Sequence, residues 1–231
     1  MPHIIEYTEE IEEHGWCQQQ PALTTGDKYL HEVDGKKRLR IVLSVHFDRY
    51  VWEDVAQWTT TILEYLEEEY MLFTLPIISD KSNKEEITVF VANSLIGILT
   101  CDKDHVCGTL VIPNHIGDTD IRGVAPFGFY NCQHLNKVNF THFVVIAYEY
   151  AFANSGVSEF FCGYGMPVML HSTAIDGCKN LPSPNTLADT LSETSAFRNF
   201  ILLSGKSFRK QEEELYRMHF LTHLAVVSDT D

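Results

Sequence analysis

The stretch from Val124 to Cys162 constrains this chain more than any other. Val124 to Tyr130 is an apolar, aromatic run of strand length. Asn139 stands where a helix would be capped, and Phe140, Phe143, Val144, Ala147, Tyr150 and Ala151 recur at the helical period over Phe140 to Ala153. Asn154-Ser155-Gly156 is a helix stop, with Gly156 suited to the left-handed cap. Val157 to Cys162 reads as a second strand. The pattern predicts a strand–loop–helix–strand unit closed by a right-handed parallel crossover. Its strands lack polar alternation, which places them centrally in a sheet buried on both faces. Ligands of such units sit outside the carboxyl ends of the strands. That position is the loop Asn131-Cys132-Gln133-His134-Leu135-Asn136-Lys137-Val138.

Around this unit the chain predicts a mixed sheet. Residues 1–35 are acidic and polar, and give one short strand, Ile4 to Tyr7, followed by irregular structure. Residues 36–231 then form a single α/β domain. Leu39, Ile41, Leu43, Val45 and Phe47 alternate with polar or small residues, as in a strand. Val55, Trp58, Thr59, Ile62, Leu63, Leu66 and Tyr70 share one face of an expected helix from Glu53 to Tyr70, with Glu64, Glu67, Glu68 and Glu69 mostly opposite. Ile87–Ala92, Leu95–Thr100 and Val106–Ile112 predict an antiparallel meander, turning at Asn93-Ser94 and Asp102-Lys103-Asp104. Helices are expected at Leu187–Leu203 and Phe208–Phe220. No internal repeat stands out.

The 231 residues, 45% apolar and 12% aromatic, have a globular composition and suffice for a sizeable core. No segment is long and apolar enough for a membrane span, and none has the form of a signal peptide, so the expected place is the cytoplasm and no membrane partner is expected. The formal net charge of −15 opposes duplex nucleic acid as a partner. Lys36, Lys37, Arg38 and Arg40, and then Lys206, Arg209 and Lys210, are local basic clusters that read as a solvated turn and a solvated helix face. The same acidity suits a non-enzymatic protein that binds and blocks a basic partner. The six cysteines form no Cys-x-x-Cys pair and read as reduced thiols. His105 with Cys107, Cys132 with His134, and His171 with Cys178 are scattered pairs, and no metal site is assigned to them.

The meander followed by strand, loop, helix and strand resembles the GNAT acyltransferase superfamily. Tyr150 to Tyr164 also looks like the comparable stretch of its aminoacyl- and arginyl-transferase members. The resemblance implies acyl or aminoacyl transfer to a small-molecule or protein acceptor, with the site at the strand ends. His134, Tyr164 and His171 would be acid or base, and Asn131, Gln133, Asn136 and Lys137 would hold the donor. An acyl donor such as acyl-CoA is implied. The loop lacks the glycines that let backbone N–H groups approach phosphate, which favours a different donor or a degenerate, inactive member. Separately, Asn131-Cys132-Gln133-His134 is similar to the Asn-Cys-Glu-His motif of the LRAT-type thiol hydrolases and acyltransferases, departing at Gln133. Cys132 would then be the nucleophile, activated near a helix N-terminus, with His46 or His105 as base. Met1 to Tyr7 looks like the start of a tautomerase, in which Pro2 would be the base.

Overall fold

The computed structural model describes residues 1–12, 23–50, 55–79, 84–141, 146–162, 168–181 and 200–228. Among the described residues strand far outweighs helix, so the expected GNAT-like α/β fold is wrong. The first correction is at Val55–Leu66. Its apolar residues can be fitted to a helical period, but Thr59, Thr60, Thr61 and Ile62 are β-branched and stiff at χ1, which suits a pleated strand. This segment is β4, between β1 (His3–Glu12) and β3 (Lys36–Tyr50) in an antiparallel sheet of order β1-β4-β3-β2, with β2 spanning Lys28–Val33. The alternating residues Leu39–Phe47 lie within β3. Strands β1 and β2 both fall in the first 35 residues.

The second sheet has ten strands, ordered β14-β12-β8-β5-β6-β7-β11-β13-β15-β16. The long hairpin β5 (Tyr70–Ile78) and β6 (Lys84–Ala92) leads through Asn93-Ser94 into β7 (Leu95–Ile98). Both turn residues have positive φ, 51° and 63°, as a tight two-residue hairpin requires. The expected meander goes no further. A 3-10 helix, Thr100–His105, carries the chain across to β8 (Gly108–Ile112), which pairs with β5 and β12 rather than with β7.

From β7 onward the chain winds as a solenoid. It runs along one flank in β7, β11 (Gly123–Val124), β13 (Ile146–Ala147), β15 (Val168–His171) and β16 (Phe200–Leu203). It returns along the other flank in β8, β12 (Leu135–Phe140) and β14 (Glu159–Cys162). A small hairpin, β9 (His115–Ile116) with β10 (Thr119–Asp120), interrupts the first coil. Neighbours within each flank are parallel. The turns between flanks also stack. The N–H groups of Phe127, Phe129 and Asn131 donate to the carbonyls of Glu149, Ala151 and Ala153 at 2.9, 2.7 and 2.9 Å, and those of Phe152 and Asn154 donate to Ala174 and Asp176, both at 2.7 Å. Every one of these bonds joins residues 22 apart. The chain therefore does contain a repeat, each coil burying its apolar residues against the next.

This repeat replaces the expected central helix. Within Phe140–Ala153, Phe140 ends β12, Ile146 and Ala147 form β13, and 148–153 is a turn; 142–145 lie outside the described residues. Asn131, Asn154 and Gly177, spaced by 23 residues, have φ of 60°, 55° and 71° and occupy the same left-handed position in successive turns. Asn and Gly tolerate that region best. Gly156 serves close approach rather than a helix cap: a Cβ there would lie 2.2 Å from the Gln133 carbonyl oxygen. The expected strand Val124–Tyr130 is likewise mostly turn. Parallel pairing is present between β12 and β14, but it arises from stacked coils. Only one of the two phenylalanines of β14 is inside, Phe160 being fully buried and Phe161 59% exposed.

The solenoid core lies between its flanks. Ile96, Ile98, Val124, Ala147, Val168 and Leu170 meet Leu110, Ile112, Val138, Phe140 and Phe160 there. Phe129 and Phe152 stack at 5.7 Å, and Phe200 closes on Phe140 and Phe160 at 5.8 and 6.0 Å. The first flank also points outward into a second core, where Leu95, Ile146 and Met169 meet Leu39, Ile41 and Tyr65 of the four-stranded sheet. Phe208 and Leu215 of α1 (Gly205–Ser228) join it. The expected helix Phe208–Phe220 falls within α1, whereas Phe200–Leu203 of the helix expected from Leu187 is β16, and 182–199 lie outside the described residues. One flank is thus covered by the sheet and the helix.

Candidate functional site

The residues chosen for chemistry do not converge. Cys132 is fully buried in the solenoid core, and burial pushes its thiol up to about 12, against the smaller opposing influence of the Lys28 ammonium. No helix follows it; the next element is β12. A thiol held protonated is the reverse of an activated nucleophile. His134 is exposed, and its carbonyl accepts the Gly108 N–H at 2.9 Å. The alternative bases His46 and His105 are exposed beside Asp48 and Asp102. Asn131 and Gln133 brace adjacent turns: Gln133 Nε2 donates to Asn131 Oδ1 at 2.9 Å and to the Asn154 carbonyl. The Asn136 carbonyl accepts both the N–H and the hydroxyl of Ser158, at 2.9 and 3.2 Å. Lys137 points outward and pairs with Glu159 at 2.7 Å. Tyr164 lies outside the described residues.

His171 belongs to the docking of α1. Its ring meets Phe208 edge to face at 4.9 Å, and Tyr148 meets the same phenylalanine at 5.6 Å. Nδ1 lies 2.9 Å from the Thr173 hydroxyl and Nε2 lies 3.8 Å from Glu149, which also faces Arg209 at 4.0 Å. The Tyr148 hydroxyl donates to Glu212 at 2.5 Å. Among the described residues, no three metal-ligating side chains gather in one place.

Two charged residues not singled out in the sequence are buried in the four-stranded sheet, and one of them, Lys28, ties it to a turn of the solenoid. Lys28 of β2 is 2% exposed, and its ammonium donates to the carbonyls of Gly26 and Phe127. Desolvation lowers it from 10.5 to about 8. It reaches a strained turn, because Phe127 has φ of 54° although it is bulky, and stacks on Tyr150, at φ 55°, with centroids 4.9 Å apart. On the other face of that sheet, Glu64 is buried between Arg38 and Arg40, at 2.6 and 2.7 Å. Burial opposes its ionisation, but the bonds to Arg40 and Arg38 prevail and hold the carboxyl below its ordinary value. Half of the first basic cluster is thus tied up in an ion-paired network.

Among the described residues, the outer faces of β8, β12 and β14 belong to neither core. Strand alternation turns Leu72, Thr74, Pro76 and Ile78 of β5, Glu86 and Thr88 of β6, Thr109 and Val111 of β8, Lys137 and Asn139 of β12, and Glu159 and Phe161 of β14 outward. Leu72, Ile78 and Phe161 are 45%, 56% and 59% exposed. Pairing places Thr109, Lys137 and Glu159 in one cross-strand row and Val111, Asn139 and Phe161 in the next. A shallow cavity of about 240 Å³ opens over these rows, lined by Thr109, Lys137, Val138, Asn139, Glu159 and Phe161. The sequence points to Lys137 only as a donor-holding loop residue; the parallel pairing that brings it beside Thr109 and Glu159 is not legible in a segment that reads as a loop and the start of a helix.

Among the described residues, no helix is long and apolar enough to cross a membrane. No family model, no curated protein and no solved structure matches this chain.

Proposed function

We propose that this chain is an acidic, non-catalytic interaction protein that captures a basic protein through the uncovered outer face of β5, β6, β8, β12 and β14. The observation that carries the reading is that face itself. Among the described residues it carries three large apolar side chains in solvent, whereas the other flank packs against the four-stranded sheet and the helix. Solenoids commonly bind along such extended surfaces. The charge of −15 would steer a cationic partner and speed its association. The acyltransferase reading loses the fold that implied it, and the thiol reading is opposed by the burial of Cys132.

The test is capture followed by reconstitution. The native chain and a Leu72→Asp/Ile78→Asp variant are used to isolate partners, and the captured protein is then purified and titrated. A basic partner that binds the native chain, loses affinity as salt rises and fails to bind the variant supports the proposal. Equal binding by both chains rejects this face as the docking surface.

A further inference from the structure

We propose that the free edge of β1 is a second docking site, which takes up as an added strand an extended peptide segment carrying lysine or arginine at alternate positions. β1 ends the sheet order β1-β4-β3-β2, and among the described residues only β4 lies beside it. It is ten residues long and pairs with β4 from His3↔Glu64 to Glu12↔Val55 without a bulge. That leaves roughly 33 Å of continuous edge, along which every second residue turns its N–H and C=O away from the sheet. Natural edges are commonly kept short, bulged, or broken by proline or lysine, and β1 has none of these devices. Unpaired backbone groups on such an edge are the ones a peptide engages when it joins a sheet.

The charge of the edge selects its occupant. β1 holds Glu6, Glu9, Glu10 and Glu12 and no lysine or arginine. A second copy added antiparallel at full overlap would pair Glu6 with Glu9 twice over, and like charges directly opposite are destabilising. A cationic strand meets the same glutamates as favourable cross-strand pairs, and the net charge of −15 draws it in. The spacing of Glu6, Glu10 and Glu12 is even, the period of one strand face, and calls for cations at alternate positions. The two faces of β1 also differ. On one, the Tyr7 hydroxyl accepts from Arg40 at 2.5 Å, and the guanidinium lies over its ring at 5.2 Å. On the other, Ile4 is 69% exposed and Glu6 is exposed two residues along. The incoming cation belongs on the Glu6 face, since the Tyr7 face already holds a positive group.

This site stands apart from the outer face of β5, β6, β8, β12 and β14, and is tested apart from it. The full chain is titrated with the peptide acetyl-(Lys-Thr)4-amide, and amide hydrogen exchange is followed by NMR. Binding is expected to slow exchange in β1. The same peptide N-methylated at every residue keeps its charge but loses its backbone donors, and should bind at least about tenfold more weakly, the equivalent of one or two hydrogen bonds. The acidic counterpart acetyl-(Glu-Thr)4-amide should not bind. Glu6→Lys should weaken the lysine peptide by about three- to tenfold, and Leu72→Ser/Ile78→Ser, on the other docking face, should leave it unchanged. Equal binding of the methylated and unmethylated peptides overturns the proposal, because charge alone would then account for capture. So does protection confined to strands other than β1. Partner capture abolished by Leu72→Asp/Ile78→Asp, in a chain whose β1 gains no protection from the peptide, would reject the edge and keep the face.

Discussion

Replacing Lys28 by methionine should change how stability depends on pH more than it changes stability at pH 7. In the folded chain this amine is buried, held by the carbonyls of Gly26 and Phe127, and titrates near 8 instead of 10.5. Holding it charged in the fold costs about 3 kcal/mol below pH 8, since each pKa unit corresponds to about 1.4 kcal/mol. Between the folded and unfolded values the unfolded chain binds more protons, so stability rises with pH through that window and the cost fades. About 1 kcal/mol should be recovered by the native chain between pH 7 and pH 9. Cys132 works in the opposite sense at higher pH. Its thiol stays protonated in the fold to about 12, so the unfolded chain loses the proton first and stability falls above about pH 9. The comparison is therefore confined to pH 7–9. Methionine removes the charge but strands two carbonyls, at about 1–3 kcal/mol, so the two effects largely cancel at neutral pH. Urea unfolding of both chains at several pH values measures the difference. Parallel stability profiles for the native chain and Lys28→Met across this range would refute the buried-ammonium account.

Other consequences follow from the same geometry. Cys132 should react with iodoacetamide much more slowly than a free thiol at neutral pH, read by mass spectrometry of the labelled peptide; rapid labelling would mean that the core around it opens. Gly156→Ala places a Cβ 2.2 Å from the Gln133 carbonyl oxygen and should destabilise the chain by about 1–3 kcal/mol through forced separation of two turns, measured by denaturant unfolding; a neutral result would show that the turns are not tightly stacked. Phe208→Ala should release α1 from Tyr148 and His171, at a cost of about 3–5 kcal/mol to helix docking. Proteolysis should then cleave within 205–215 while the remainder resists, and unchanged protection would reject Phe208 as the docking residue.

The sequence by itself determined alternation and punctuation. Leu39–Phe47 reads as a strand because every second residue is apolar, and Asn93-Ser94 reads as a hairpin turn because both residues tolerate positive φ. It also determined the net charge of −15. It did not reveal the repeat, although the signal is present. Phe129, Asn131 and Leu135 are followed 22 or 23 residues later by Ala151, Asn154 and Val157, and Gly177 continues the Asn131 and Asn154 series. The substitution of Ala for Phe and Gly for Asn hides a period that backbone hydrogen bonds preserve, because stacking coils need matching dihedrals and total core volume more than matching side chains. The helical spacing over Phe140–Ala153 was real as spacing. Only the tertiary structure shows that Phe140, Ala147 and Ala151 come from a strand end, a second strand and a turn, and meet in the solenoid core. The same holds for the candidate site. Thr109, Lys137 and Glu159 are 28 and 22 residues apart, and only parallel pairing puts them in one row. Local sequence carries propensity over a few residues, whereas a cross-strand surface exists only after distant coils have stacked.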